Sequence, residues 1–582
     1  MNAKRLLAHY AEIAESPDAV VRLRQLVLGL AVRGKLVPQD PADEPAAALL
    51  GRISAHRCRL AAAGTTPRAR PLPPITPQEM AFTLPAGWAW VRLGDLSSLV
   101  TSGSRDWAKH YSTEGAIFVR MGNLSKGHYR LRLENLQRVK PPIDGEGTRT
   151  RLEAGDILIS ITGDVGMLGL VPVGFGEAYI NQHIALVRPS PQMAERYLPE
   201  LFRSPFAQDQ FNAPQRGIKN SFRLTDVTEF VVPLPPLPEQ RRIVAKVDEL
   251  MALCDELEAA RTGREAARDR LAVASLARLN TPKPETFQAD ARFTLDALPA
   301  LTARPDQIKQ FRQTILNLAV TGRLTSRDNA DEPAVELLHR LQAAQKLGFA
   351  QEGLRTRSPV SRLNREAMWF DFPDHWELPI FDDLFVIVSG VTKGQKIAAS
   401  EAVDVPYLRV ANVQRGYLDL SVIKHITVRK ADQLRYSLRF GDILMTEGGD
   451  WDKLGRAAIW SDAIPGCIHQ NHVFRVRPAS PEILPEWVVI YVNSRLGRAF
   501  FEEASKQTTN LASINMTQLR SCPLPLPPYQ EQKRIISVVE DLMALCDELA
   551  ASLAGADTTR QRLLNALLAE ALAPAARNLE AA

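Results

Sequence analysis

Five cysteines in 582 residues are too few for a disulfide framework. No run approaches about 18 uninterrupted apolar residues, so no membrane-spanning helix is expected. The opening stretch, MNAKRLLAHYAEIAESPD, carries charges inside its apolar run and lacks the pattern of a secretory leader. A large excess of one charge is also lacking. A net charge of +5 permits a nucleic-acid partner but excludes a histone-like polycation. His469 and His472 stand close together, yet no second cluster offers zinc-ligand spacing, so no metal site is expected. Together these absences point to a reduced, cytoplasmic location.

Catalytic motifs are missing as well. The segment GLAVRGKL (Gly29–Leu36) approaches a Walker A loop, but it lies in a helical pattern. Leu36 stands where a hydroxyl would hold magnesium, and the second copy has Asn317 and Arg323 at the key places. The glycines of GDVGMLG (Gly163–Gly169) lack the strand–turn–helix setting of a dinucleotide site. Pro527–Tyr529 resembles part of an amino-methyltransferase tetrapeptide, but Leu526 replaces the required Asn or Asp and no glycine-rich cofactor loop precedes it. No nuclease-like cluster of carboxylates and lysine is present.

What the chain does have is repetition. Residues 24–50 and 312–338 are identical at 16 of 27 positions, and LMALCDEL occurs at both 250–257 and 542–549. Shorter echoes lie between them: Trp88 with Trp376, Asp95 with Asp383, GDILIS (Gly155–Ser160) with GDILMT (Gly441–Thr446), and HIALVRP (His183–Pro189) with HVFRVRP (His472–Pro478). Gly-Asp before an apolar run signals a turn into a strand. The runs AIFVRM (Ala116–Met121) and PYLRVA (Pro406–Ala411) also read as strands, and helical stretches are predicted near 195–210 and 485–501.

The predicted order has five parts: a helical repeat at 1–66, a β-rich module at 85–235, a central helical region at 236–350, a second module at 368–526 and a last helix at 527–575. A proline-rich, non-helical linker spans 67–79, and residues 3–34 read as helix closed by Gly34. After each module's proline knot, apolar residues fall at Ile243, Val247, Leu250, Cys254 and Leu257, and again at Ile535, Val539, Leu542, Cys546 and Leu549. Spacing of 4, 3, 4, 3 is a heptad seam that requires a partner helix. The partner is either a helix of the same domain or, as the duplicated seam favours, the other half's long helix. The cysteines on the seam read as buried small hydrophobes.

Each module carries a basic stretch. Residues 105–151 hold ten Lys or Arg against five acids, and residues 389–440 hold nine against four. Polar residues interleave with them. Arg120, Asn123, Lys126, Arg130 and Arg132 in the first module, and Arg409, Asn412, Gln414 and Arg415 in the second, are the candidate DNA contacts. Arg and Lys hold phosphates, while Arg, Asn and Gln can read guanine and adenine edges. Solvated surface charge is the plain alternative.

The strings LRQLVLGLAVRGKLVPQDPADEPA and LPPLPEQRRIVAKVDELMALCDEL, with their second copies, resemble the specificity subunit of type I restriction–modification systems. The likeness extends over essentially the whole chain. It implies an α/β (α+β) architecture: two β-rich target-recognition domains separated by two long antiparallel coiled-coil helical regions in a pseudo-two-fold arrangement. It further implies a chain without catalytic residues or bound cofactor. Its partners would be double-stranded DNA with a bipartite target, two methyltransferase subunits using S-adenosylmethionine, and two restriction/translocase subunits using ATP with magnesium, with no membrane. Spacing and docking would fall to 236–280 with 303–345, and to 529–572 with 5–50. Two dissimilar modules on one frame independently suggest two different half-sites, because a palindrome needs identical readers. The rival classes are a coiled-coil scaffold whose modules bind protein or sugar, and an intrinsic methyltransferase or nuclease.

Overall fold

The computed structural model describes residues 15–572 except 17, 65–70, 104, 106, 142–149, 214–221, 282, 284, 355–356, 395, 450–452 and 509–510. The helical reading of residues 3–14, part of the 67–79 linker and the basic residue Arg149 lie outside these. The chain divides into two compact units, Met1–Arg264 with Asp557–Ala582, and Glu265–Ala556. In each, a sheet-rich module stands on helices.

In the first unit, α1 (Ala19–Val32) buries Val27, Leu28, Ala31 and Val32. It stops at Gly34, whose φ of 64° disfavours any residue with a Cβ. Helix α2 (Ala46–Ala62) follows Pro45. The module enters on β1 (Ala89–Arg92) and leaves on β10 (Val231–Leu234); these pair antiparallel, so its two chain ends share one base. Between them lie β2 (Ser97–Ser102), β3 (Tyr111–Ser112), β4 (Ala116–Val119), β5 (Gln137–Val139), β6 (Ile157–Ser160), β7 (Leu168–Leu170), β8 (Ala178–Ile180) and β9 (Ile184–Pro189). They form two four-stranded sheets, ordered β2-β9-β6-β7 and β3-β5-β4-β8. Strand β6 is buried on both faces. Its alternation sends Ile157 and Ile159 to the helix-side core and Leu158 to a smaller cluster behind. Helices α3 (Tyr197–Arg203) and α4 (Pro205–Asn212) precede the long α5 (Leu237–Asn280), whose residues from Glu265 onward belong to the second unit.

The second unit repeats this plan with α6 (Pro305–Val320), α7 (Ala334–Gln351) and a module containing β11 (Phe385–Ser389), β12 (Ala402–Leu408), β13 (Lys424–Arg429), β14 (Ile443–Thr446), β15 (Gly448–Gly449), β16 (Ala457–Ile459), β17 (Ile468–His469), β18 (Val473–Pro478), β19 (Lys506–Thr508) and β20 (Leu511–Ser513). Its sheets are ordered β11-β18-β14-β16, β13-β12-β17 and β15-β20-β19. Strand β14 partitions like β6, with Ile443 and Met445 in the main core and Leu444 behind. Helices α8 (Pro485–Asn493), α9 (Arg495–Ala504) and α10 (Tyr529–Leu572) as far as Ala556 complete it, and the rest of α10 belongs to the first unit.

Three local differences from the sequence reading have clear causes. The expected helices at 195–210 and 485–501 are each split, because Ser204 and Ser494 accept a hydrogen bond from the first turn of the following helix and start it afresh. Within the linker, Pro77–Glu79 forms a 3₁₀ turn closed by a Thr76–Glu79 capping box. The third concerns the heptad seam. Along its first half it packs on the repeat helix of its own unit: Ile243 and Val247 join Val27 and Ala31, while Ile535 and Val539 join Ile308 and Ile315. Arg24 clamps the first contact through Asp255 at 2.6 Å, and Arg312 clamps the second through Asp547 at 2.5 Å. The same-domain alternative therefore holds here, since α1 and α6 supply the apolar face the seam needs. Beyond the seam, Leu276 and Asn280 of α5 pack on α6, and Leu564, Leu567 and Ala571 of α10 pack on α1. Cys254 and Cys546 are buried.

Candidate nucleic-acid interface

In both modules a central strand runs straight into a tight turn begun by an arginine. After β4 the turn is Arg120–Asn123, and after β12 it is Arg409–Asn412. The asparagine closes it. Asn123 Oδ1 accepts from the Arg120 backbone N–H at 2.9 Å, and its Nδ2 donates to the Arg132 carbonyl at 2.9 Å. Asn412 repeats the first bond at 3.0 Å and donates to the Asp419 carbonyl at 2.8 Å. Both asparagines are buried, at 4% and 3% exposure. Their amides are spent on the loop itself, so the expectation that they face a base is replaced by a framework role. Gln414 is also committed: it donates to the Ala411 carbonyl at 2.9 Å and accepts from Arg456 at 2.7 Å.

The remaining candidates divide by exposure. Lys126, Arg130 and Arg132 are exposed on the loop that Asn123 organises, with Lys126 only 3.4 Å from the exposed Asp164. Arg120 and Arg409 are half-buried, and each donates one N–H to a loop carbonyl, Asn135 at 3.4 Å and Val422 at 3.2 Å. Arg415 is half-buried and donates to the Leu454 carbonyl at 3.2 Å. The structure thus gathers the first-module set on one loop and holds most of the second-module set more tightly.

Other segments converge on each turn. A Cβ at Gly103 would lie 2.2 Å from the Ile180 carbonyl oxygen, and one at Gly390 would lie 2.0 Å from that of His469. Only glycine permits this crossing, which sets the chain leaving β2 or β11 against the turn before β9 or β18. That turn carries the duplicated histidine. His183 Nδ1 lies 2.9 Å from Thr162 Oγ1, and Thr162 Oγ1 lies 3.8 Å from Met121 Sδ in the arginine turn. In the second module His472 bonds the carboxylate of Glu447 instead. One end of each module therefore brings together an arginine turn, the loop after β6 or β14, and a histidine turn. The nearby His469 is fully buried; its Nδ1 donates to the Val473 carbonyl, and burial pushes its pKa down to about 3.

Sequence reasoning missed the pairs that hold these ends in place. Asp156 and Asp442, the acids of the two GDIL strings, are buried and take bidentate bonds from Arg188 and Arg477, at 2.7 and 2.8 Å in the first module and 2.6 and 2.7 Å in the second. The signal was present: GD and RP recur together in both copies. Thr162 and Glu447 were missed because nothing local marks them as partners of histidines 21 and 25 residues away.

A family model described as the type I restriction modification DNA specificity domain matches this chain twice, over residues 85–264 and 373–553. The chain belongs to that family. It is a type I restriction–modification specificity subunit with two DNA-recognition domains, and the family's role is recognition of DNA rather than catalysis. It is 30% identical to the Type I restriction enzyme EcoEI specificity subunit of Escherichia coli, over 95% of this chain and 94% of that one. With the EcoAI specificity subunit of Escherichia coli the identity is 29%, over 94% and 93%. Among solved structures, the HsdS subunit from Thermoanaerobacter tengcongensis aligns with 85% of this chain and 99% of its own at 19% identity, with a TM-score of 0.43. No helix among the described residues is long and apolar enough to cross a membrane.

Proposed function

We propose that each recognition domain reads one half of an asymmetric, bipartite double-stranded DNA target. The helices carrying the duplicated strings set the gap between the halves and dock two methyltransferase subunits. In the cytoplasm the assembly also takes two restriction/translocase subunits. S-adenosylmethionine belongs to the methyltransferase and ATP with magnesium to the restriction subunit, so this chain itself binds neither.

One observation carries this reading. The same framework, an arginine turn closed by asparagine and a buried Asp bonded to a partly buried Arg, is built twice and presents different side chains each time. Different readers on equal frames suit unequal half-sites. Duplicated helical surfaces suit two copies of one partner. Exposed Lys126, Arg130 and Arg132 fit phosphate contacts, while Arg120, Arg409 and Arg415 lie at the turns and stay candidates for base edges. The decisive test replaces residues 85–235 with the module of another family member and maps the methylated motif in cells that also express the methyltransferase partner. One half of the motif is expected to change and the other to persist. A change in both halves would refute one module per half-site, and absence of any salt-sensitive DNA complex would favour the scaffold alternative.

A further inference from the structure

We propose that the group hydrogen-bonded to the duplicated histidine, Glu447 in the second domain and Thr162 in the first, sets the base preference of its domain at one position. The proposal rests on the reading that each domain binds a DNA half-site.

The two sites share a backbone frame in which Glu447 stands at the place of Ile161, and the first domain supplies its hydroxyl one residue later, at Thr162. In the first domain the Ile161 backbone N–H donates to the His183 carbonyl at 2.9 Å; in the second the Glu447 N–H donates to the His472 carbonyl at 3.0 Å. An amide stands beside each ring. Gln182 Nε2 is 3.0 Å from His183 Nε2, and Asn471 Nδ2 is 3.4 Å from His472 Nε2. An amide nitrogen can only donate, so Nε2 accepts and Nδ1–H is left to donate toward the loop after β6 or β14. The tautomer is therefore the same in both domains and the acceptor differs: a hydroxyl at Thr162, a carboxylate at Glu447.

This difference has a direct consequence for reading. A carboxylate only accepts, so it suits the amino group of cytosine or adenine and repels the keto oxygen of guanine or thymine. A hydroxyl accepts or donates and discriminates less. The second pair is open to a ligand, with His472 55% and Glu447 30% exposed. Its histidine takes Oε2 of Glu447, while Oε1 has no partner among the described residues. It also lies at the end of the domain that carries the Arg409 turn, since the Gln470 N–H donates to the Leu408 carbonyl at 2.9 Å. The Asn471 N–H donates to the Val391 carbonyl at 3.0 Å, two residues from the exposed Lys393. A carboxylate on a surface that approaches phosphates is unfavourable unless a donor meets it, and a base amino group is such a donor.

The experiment expresses the full chain with its methyltransferase partner and maps methylated motifs genome-wide for wild type, Glu447→Gln, His472→Gln and Thr162→Val. Glu447→Gln is expected to relax one position of one half-site, with roughly tenfold or greater loss of discrimination there. His472→Gln should affect the same position, and Thr162→Val a position in the other half. Motifs unchanged in the two second-domain variants, with the complex assembled, would overturn the proposal. Should Glu447→Gln fail to assemble, Glu447→Asp keeps the charge but retracts it and must alter the same position, an unchanged motif again being fatal. A wild-type complex that marks no bipartite motif would overturn the underlying half-site reading, and this inference with it.

Discussion

The bases of the two units agree closely, and their reading ends do not. At the start of α5, Arg242 pairs with Asp43 at 2.6 Å; at the start of α10, Arg534 pairs with Asp331 at 2.5 Å. Gln240 and Gln532 are fully buried, and each donates to a carbonyl of its own proline knot, Pro235 at 2.9 Å and Pro527 at 3.1 Å. Even here one exchange is tolerated. Glu239 accepts from Trp88 Nε1 at 2.9 Å, whereas Glu531 takes His375 at 2.8 Å, a residue standing where the first copy has Gly87. Moving outward the substitutions become chemical: Ile180 against His469, Leu186 against Arg475, Ile161 against Glu447. Identical pairs hold the base of each unit together, while the surfaces offered to a ligand vary because nothing in the base constrains them.

Breaking the shared part should have the largest effect. Asp156→Ala and Asp442→Ala each leave a partly buried guanidinium without its bidentate partner, at a cost of about 3–5 kcal/mol. Denaturant unfolding should report a similar loss for both, and a large loss in only one would break the equivalence of the frames.

A smaller effect separates the units by pH. His469 is held neutral by burial, with a pKa of about 3 against an ordinary 6.5. The unfolded histidine takes a proton below pH 6.5 and the folded one does not. Its contribution is present above that value and is lost as pH falls from 6.5 toward about 3, at up to ~1.4 kcal/mol per pH unit. His469→Ile, which installs the first unit's residue, should flatten the acid dependence of the second unit in urea melts between pH 7 and 4. An unchanged slope would mean that the histidine does not mark this difference.

The mildest change sharpens the contrast at the surface. Lys126→Ala or Arg130→Ala should weaken binding to all DNA sequences alike and lower the salt slope by about 1 each. A shift in the recognised bases would instead make these residues readers.

The duplicated strings carry much of this arrangement in the sequence itself. DEPA and EQRRI, widely separated in the text, turn out to touch through Asp43 and Arg242, and the GDIL and RP strings through Asp156 and Arg188. Strand positions followed from Gly-Asp turns and apolar runs because those signals are local. Candidate contacts were harder. Arg, Lys and Asn in a basic loop look equivalent by composition, yet Lys126 and Arg130 face solvent while Asn123 closes the loop from inside.

Repetition and periodicity alone established a doubled frame, two dissimilar modules and helices with a seam awaiting a partner. Such patterns survive in the linear text because each arises from neighbours three to seven positions apart or from whole strings copied intact. Folding decided which helix filled the seam, which polar side chains turned inward, and which acceptor met each histidine. Those outcomes depend on hydrogen-bond partners brought together from distant loops, where burial makes an unpaired polar group costly and the nearest available partner is chosen by geometry.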